Sequence, residues 1–193
     1  MPPELPGRLP IQRIAAGTGP VSWAHPATLG TVLRPEPRQA AHAGFHAPDA
    51  SFRTCFAGLN QEAAFAEGVL YGPVPTALVS SATLVARSIA ELHVAETIRA
   101  LPLYGCYLMP LGATSTVTHG DDYAVSQEWA KATHDHSQAP DGILYTSRHD
   151  ERTFSLALFE RAAHKLVEGG SYALSPTDLR TLMLLDYGLG LTP

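Results

Sequence analysis

Cysteine is scarce: Cys55 and Cys106 are the whole supply in 193 residues. Two cysteines so far apart offer neither the close spacing of a zinc site nor the framework of a secreted mini-domain. No apolar run reaches the length of a membrane-spanning helix, so no membrane span is expected. The N-terminus, Met1-Pro2-Pro3-Glu4-Leu5-Pro6, lacks the charged and apolar regions of a signal peptide, and a cytoplasmic protein is expected. Positive charge is also short. Thirteen Lys and Arg stand against 18 Asp and Glu, for a formal charge of −5 and a pI near 5.9. The cations are scattered, which argues against direct nucleic-acid binding. A phosphate-cradling glycine loop is missing too. Gly17-Thr18-Gly19 runs into Pro20, with no helix N-terminus behind it, and a Rossmann or P-loop reading fails there.

What is present suits one globular domain, residues 1–193, with 45% hydrophobic and 16% charged residues. Residues 1–50 are rich in Pro and Gly and predict only short strands and loops. Ile11–Ala15 alternates like a strand, with Arg13 opposite two isoleucines. Residues 52–57 read as a second short strand. A helix follows over 60–71, capped by Asn60 and stopped by Gly72-Pro73. Residues 76–100 fit helix or strand, and Ser80, Ser81 and Thr83 tilt the reading to strand. Residues 121–133 have helical spacing. Pro140-Asp141-Gly142 opens a strand over 143–146, and 153–159 is another. Ser175-Pro176-Thr177-Asp178 opens a last helix with a buried stripe of Leu179, Leu182 and Met183, stopped by Gly188. The fold class is α+β: a single domain of short strands with flanking helices.

Four groups of residues invite chemistry. Glu67 falls among Ala63, Ala64, Leu70 and Tyr71 at helical spacing, with no Lys or Arg within a turn. Read locally it is either a helix-edge Glu reaching water or a carboxylate kept in apolar surroundings for a purpose. Ser147-Arg148-His149-Asp150 closes the 143–146 strand, either as a solvated turn or as the rim of a site. A Ser/His/Asp triad is disfavoured there, since adjacent residues rarely form one. His134, Asp135 and His136, with His119, Asp121 and Asp122, could be metal ligands or a solvated loop, and the loop is preferred, so no metal is expected. Arg13 alone reads as an ordinary surface cation.

Taken together, these pieces resemble the RES domain family, named for an Arg, a Glu and a Ser. Gln12-Arg13-Ile14 resembles its opening strand. Phe52 to Glu67 resembles the strand and helix that carry its Glu. Glu128-Trp129-Ala130 resembles the helix before its last motif. The segment Asp141-Gly142-Ile143-Leu144-Tyr145-Thr146-Ser147-Arg148 is similar to its Asp-Gly-x-x-Tyr-x-Ser-Arg run. Ser155–Phe159 and Asp186-Tyr187-Gly188-Leu189 fit the strand and helix that close it.

The resemblance implies a fold similar to ADP-ribosyltransferase toxins. It also implies an NAD⁺-degrading toxin, a glycohydrolase or phosphorylase that cuts the nicotinamide–ribose bond and is neutralised by a helix-turn-helix antitoxin. Arg13, Glu67 and Ser147 would be the catalytic triplet. Arg13, Ser147, Tyr145 and Arg148 would bind NAD⁺ as substrate, with phosphate as an optional co-substrate and no bound cofactor. Cleavage builds positive charge on the ribose. Glu67 would stabilise that charge, Arg13 would hold the pyrophosphate, and Ser147 would position the ribose or nicotinamide end. Some relatives transfer ADP-ribose to a protein instead. The chain departs from the family pattern at Gly44, where an Arg is usual, and at Cys55-Phe56, where a Tyr commonly precedes the Glu helix. Those two departures leave a third alternative, a RES-like module that only binds a partner.

Overall fold

The computed structural model describes residues 3–26, 44–70, 78–174 and 177–193. In the Pro- and Gly-rich start, the described residues hold two strands, β1 (Gln12–Ile14) and β2 (Val21–Pro26). They are followed by β3 (Thr54–Gly58) and α1 (Gln61–Gly68). Asn60 caps α1 as its sequence predicts, its side chain accepting from Ala63 N at 2.8 Å. Tyr71 and the Gly72-Pro73 stop lie outside the described residues.

The stretch read as strand is strand in part. β4 (Leu78–Ser80) leads into a short helix, α2 (Ser81–Val85), before β5 (Arg87–Val94) and β6 (Ile98–Leu103). The serines that seemed to oppose helix instead start one. Ser80 accepts from Ala82 N at 3.2 Å, because a hydroxyl that competes with the backbone inside a helix satisfies an orphan N–H at its end. Next come α3 (Thr116–His119) and α4 (Tyr123–Asp135), the latter capped by Asp122. The hairpin of β7 (Gly142–Ser147) and β8 (Asp150–Phe159) follows, then β9 (Leu166–Ala173), α5 (Thr177–Tyr187) and β10 (Gly190–Thr192). Of the stripe expected on α5, Met183 is fully buried. The side chains of Leu179 and Leu182, and the Ser175-Pro176 cap, are outside the described set. Gly188 ends α5 with φ of 62°, a left-handed turn that glycine takes without steric cost.

Eight strands form one sheet in the order β1-β6-β7-β8-β3-β2-β5-β9, and β4 pairs with β10 beside it. All pairs in the large sheet are antiparallel except β6 with β7. That parallel pair needs a crossover, and α3 and α4 supply it. Both faces of the sheet are covered. Leu101, Leu103, Ile143, Ala157 and Phe159 pack under Val117, Trp129 and Ala130 on one side, while Leu92, Ile98, Leu144, Leu156 and Leu158 point to the other. This explains why β7 and β8 read as nearly unbroken apolar runs.

Helix α1 lies closer to the sheet than a side chain would permit. A Cβ on Gly58 would collide with Ala64 N and Ala63 Cβ. Glycine at the end of β3 and alanines in the first turns of α1 therefore set the helix against the strand. Phe65 faces away, stacked on Tyr187 of α5 at 5.5 Å. Glu67, two positions on and about 200° around the helix, is turned toward β7 and β8.

Candidate functional site

The end of α1 meets the C-terminal end of β7 and the body of β8. Tyr145 and Ser155 are cross-strand partners, with Gly58 next to Ser155 on β3. Tyr145 is buried, its ring tilted against Phe45 at 4.9 Å, and its hydroxyl donates to Glu67 Oε2 at 2.9 Å. Ser147 is fully buried and its Oγ accepts from His149 N at 3.3 Å, which leaves its own proton for the Glu67 carboxylate. Ser155 is fully buried, and its Oγ has no partner within hydrogen-bond geometry, although it too faces Glu67.

Burial pushes the Glu67 carboxyl above its ordinary value. The hydroxyls of Ser147, Tyr145 and Ser155 pull the other way without cancelling it. Three hydroxyls around one desolvated carboxylate make a preorganised negative centre, suited to holding a sugar diol or to facing developing positive charge. Tyr145→Phe should move the Glu67 titration further upward, because the anion loses a donor. The same change should cost about 1.5 kcal/mol in stability, the typical worth of a hydrogen bond to a charged group. A carbon-13 titration of the Glu67 carboxyl beside a urea melt would measure both.

Three of the five site residues expected from the sequence are thus brought together: Glu67, Ser147 and Tyr145. Arg148 is adjacent but engaged. Its Nη2 donates to Asp121 Oδ1 at 2.6 Å, and this pair keeps the guanidinium charged well above its usual range. Arg13 is not in the group. It is exposed on β1, opposite Arg99, at the start of β6, whereas Tyr145 pairs with Leu103 at the other end of that strand. Four residues along a strand is roughly 13 Å.

The Ser147–Asp150 run forms a tight turn, not a triad. Asp150 accepts from Arg152 and from Tyr187 Oη at 2.8 Å, and these bonds, Arg152 first, hold its carboxyl below the ordinary range. His134 stacks on Phe52 at 4.1 Å, and His136 reaches Pro6 O at 3.0 Å, so both rings serve packing.

The two departures from the family pattern fall differently. At Gly44 nothing among the described residues lies within contact distance of where a Cβ would be. Cys55 is buried and pairs with Leu158, on the sheet face away from Glu67, and burial pushes its thiol up to about 12. Phe56, its neighbour, is the residue on the Glu67 side, with His46 edge-on at 5.1 Å.

Two residues of the site carry little signal in the sequence. Ser155 is a hydroxyl at an inward position of an otherwise apolar strand, and period-2 alternation with Ala157 and Phe159 would have singled it out. His119 sits at the end of a four-residue helix with no pattern around it.

A family model described as the RES domain matches residues 10–177. Among solved structures, the chain is similar to one in the crystal structure of the M. tuberculosis MbcT–MbcA toxin–antitoxin complex. The TM-score is 0.69 at 15% identity, over 90% of this chain and 91% of that one. No curated protein matches.

Proposed function

Since the chain belongs to the RES domain family, we propose that it is an NAD⁺-degrading toxin, a glycohydrolase or phosphorylase that breaks the nicotinamide–ribose bond. The observation that carries this reading is the Glu67 carboxylate, desolvated at the end of α1 and faced by the hydroxyls of Tyr145, Ser147 and Ser155.

Nicotinamide leaves with the bonding electron pair, so the ribose becomes oxocarbenium-like. A fixed carboxylate in a low-dielectric pocket stabilises that cation far more than it stabilises the ground state. Ser147 helps hold the carboxylate as the anion, and the Ser155 hydroxyl is presented to the ribose. Tyr145 fixes its rotamer. Arg13, at the other end of β6, would reach only a distal part of the substrate, such as the pyrophosphate. Arg148 would need to exchange Asp121 for substrate phosphate. By the same family reading the neutralising partner is an antitoxin with a helix-turn-helix domain, and the solved relative from the toxin–antitoxin complex is consistent with such pairing.

Incubating the purified chain with NAD⁺, with and without phosphate, tests this directly. Free nicotinamide is the expected product, and phosphate dependence of the second product identifies the acceptor. ADP-ribose appearing on protein would instead indicate a transferase. Failure to release nicotinamide would leave the partner-binding module as the reading.

A further inference from the structure

Two buried polar atoms near the Glu67 carboxylate have no partner in hydrogen-bond geometry among the described residues: Ser155 Oγ and His119 Nε2. The histidine can do more than bind. Its Nδ1 lies 2.7 Å from Thr118 Oγ1 and 3.3 Å from Ser115 O, while Thr118 Oγ1 itself donates to Ser115 O at 3.1 Å. A carbonyl only accepts, so the consistent chain runs from Nδ1–H to Thr118 Oγ1 and from that hydroxyl to Ser115 O. The second nitrogen, Nε2, then carries a free lone pair. It is buried, and the nearest opposite charge, Glu151 Oε1, stands at 3.7 Å, beyond hydrogen-bond reach, on a side chain that is 79% exposed. Helix α3 packs on α4 and β7, and the bond from Arg148 to Asp121, two residues beyond His119, together with the approach to Glu151, places this ring at the strand end that carries Ser147.

We propose that His119 is a further catalytic residue, the base that takes the proton from the water attacking the ribose. The inference rests on the NAD⁺ cleavage reading above. The bookkeeping is simple. The C1′–nitrogen bond breaks and its pair leaves with nicotinamide, which becomes neutral. The oxygen of water bonds to C1′, and the proton it sheds goes to His119 Nε2, giving an imidazolium that later returns the proton to solvent. Glu67 faces the cation, and His119 serves the nucleophile. Phosphate arrives already ionised and needs no such base, so His119 should matter for one acceptor and not for the other.

The test compares the parent chain with His119→Gln and His119→Asn. Gln keeps an acceptor near the place of Nε2 but cannot take a proton. Asn keeps a donor toward Thr118 and removes the Nε2 position. ADP-ribose and ADP-ribose phosphate are quantified from NAD⁺ with and without saturating phosphate, beside a thermal melt. The expected result is a loss of hydrolysis of about a hundredfold in both variants, with phosphorolysis kept within a few-fold. Equal loss of both products, or no loss of hydrolysis, overturns the role of His119 while leaving NAD⁺ cleavage standing. A parent chain that uses phosphate alone also overturns it. If the parent chain releases no nicotinamide at all, the underlying reading fails first and this one with it.

Discussion

Glu67→Gln should lower nicotinamide release about a hundredfold or more and leave the chain at least as heat-stable as the parent. The two halves of this result have one cause. A half-buried carboxylate faced by three hydroxyls stabilises a nearby cation strongly, and for the same reason it is costly to bury. The Glu67 carboxyl titrates above its ordinary value, mainly through burial. Its folded pKa therefore exceeds the unfolded one. Its contribution to stability is fully present below the unfolded pKa and is lost as pH rises through the folded pKa. At neutral pH the parent carries that cost and the Gln variant does not. Activity has the opposite dependence. It should rise as Glu67 ionises, placing the acid limb of the rate profile above the ordinary carboxylate range. A Gln variant with parental activity would remove the proposed mechanism. A Gln variant that is much less stable would show that Glu67 is structural.

Asp141→Ala should destabilise the fold by about 3 kcal/mol, the scale for breaking one side of a buried ion pair, without altering turnover per folded molecule. Asp141 opens the family motif, yet it stands at the start of β7, remote from Glu67. Its Oδ2 accepts from Arg99 N at 2.7 Å and from Lys165 Nζ at 2.8 Å, and its backbone bonds Arg99 O and Phe159 N. Its side chain thus ties the start of β7 to β6, and its backbone to β8. The alanine variant leaves an amide and an ammonium without their acceptor in a region where both partners are largely buried. Asp141→Asn should recover part of the loss, since the amide oxygen still accepts from Arg99 N. Urea melts of the two variants would separate the charge from the hydrogen bond. A neutral effect in both would mean that the β6–β7 pairing is held by the backbone alone.

The sequence disclosed most where one physical signal governed a whole element. Asn60 caps a helix at the expected place. The apolar runs around Ile143 and Leu156 are strands because both faces of the sheet are covered. Residues 81–85 misled because serine marks a helix start as readily as it opposes a helix interior. Strands β2 and β9 were not foreseen. Each takes its conformation from a long-range neighbour, β2 from β3 and β5 and β9 from β5, and not from its own alternation. In the site, Glu67 was conspicuous as a charge on an apolar stripe, and Ser147 and Tyr145 came with the resemblance. His119 was grouped with residues of another neighbourhood, because nothing local tells which histidines share a pocket.

The hydrogen bond from Tyr145 to Glu67 joins residues 78 apart in the chain. Strand β3, which leads into the Glu67 helix, meets β2 only at Ser22 and Gly58 and is paired along its length only when β8 arrives, with Thr54 opposite Phe159. No local segment can therefore assemble the pocket by itself. Such distant pairings form late in folding, after loop-closure entropy has been overcome. During synthesis, a ribosome-bound chain that has emerged only as far as α4 carries Glu67 but neither Tyr145 nor Ser155. A chain in that state lacks the pocket, which is complete only when nearly the whole domain has been released and folded.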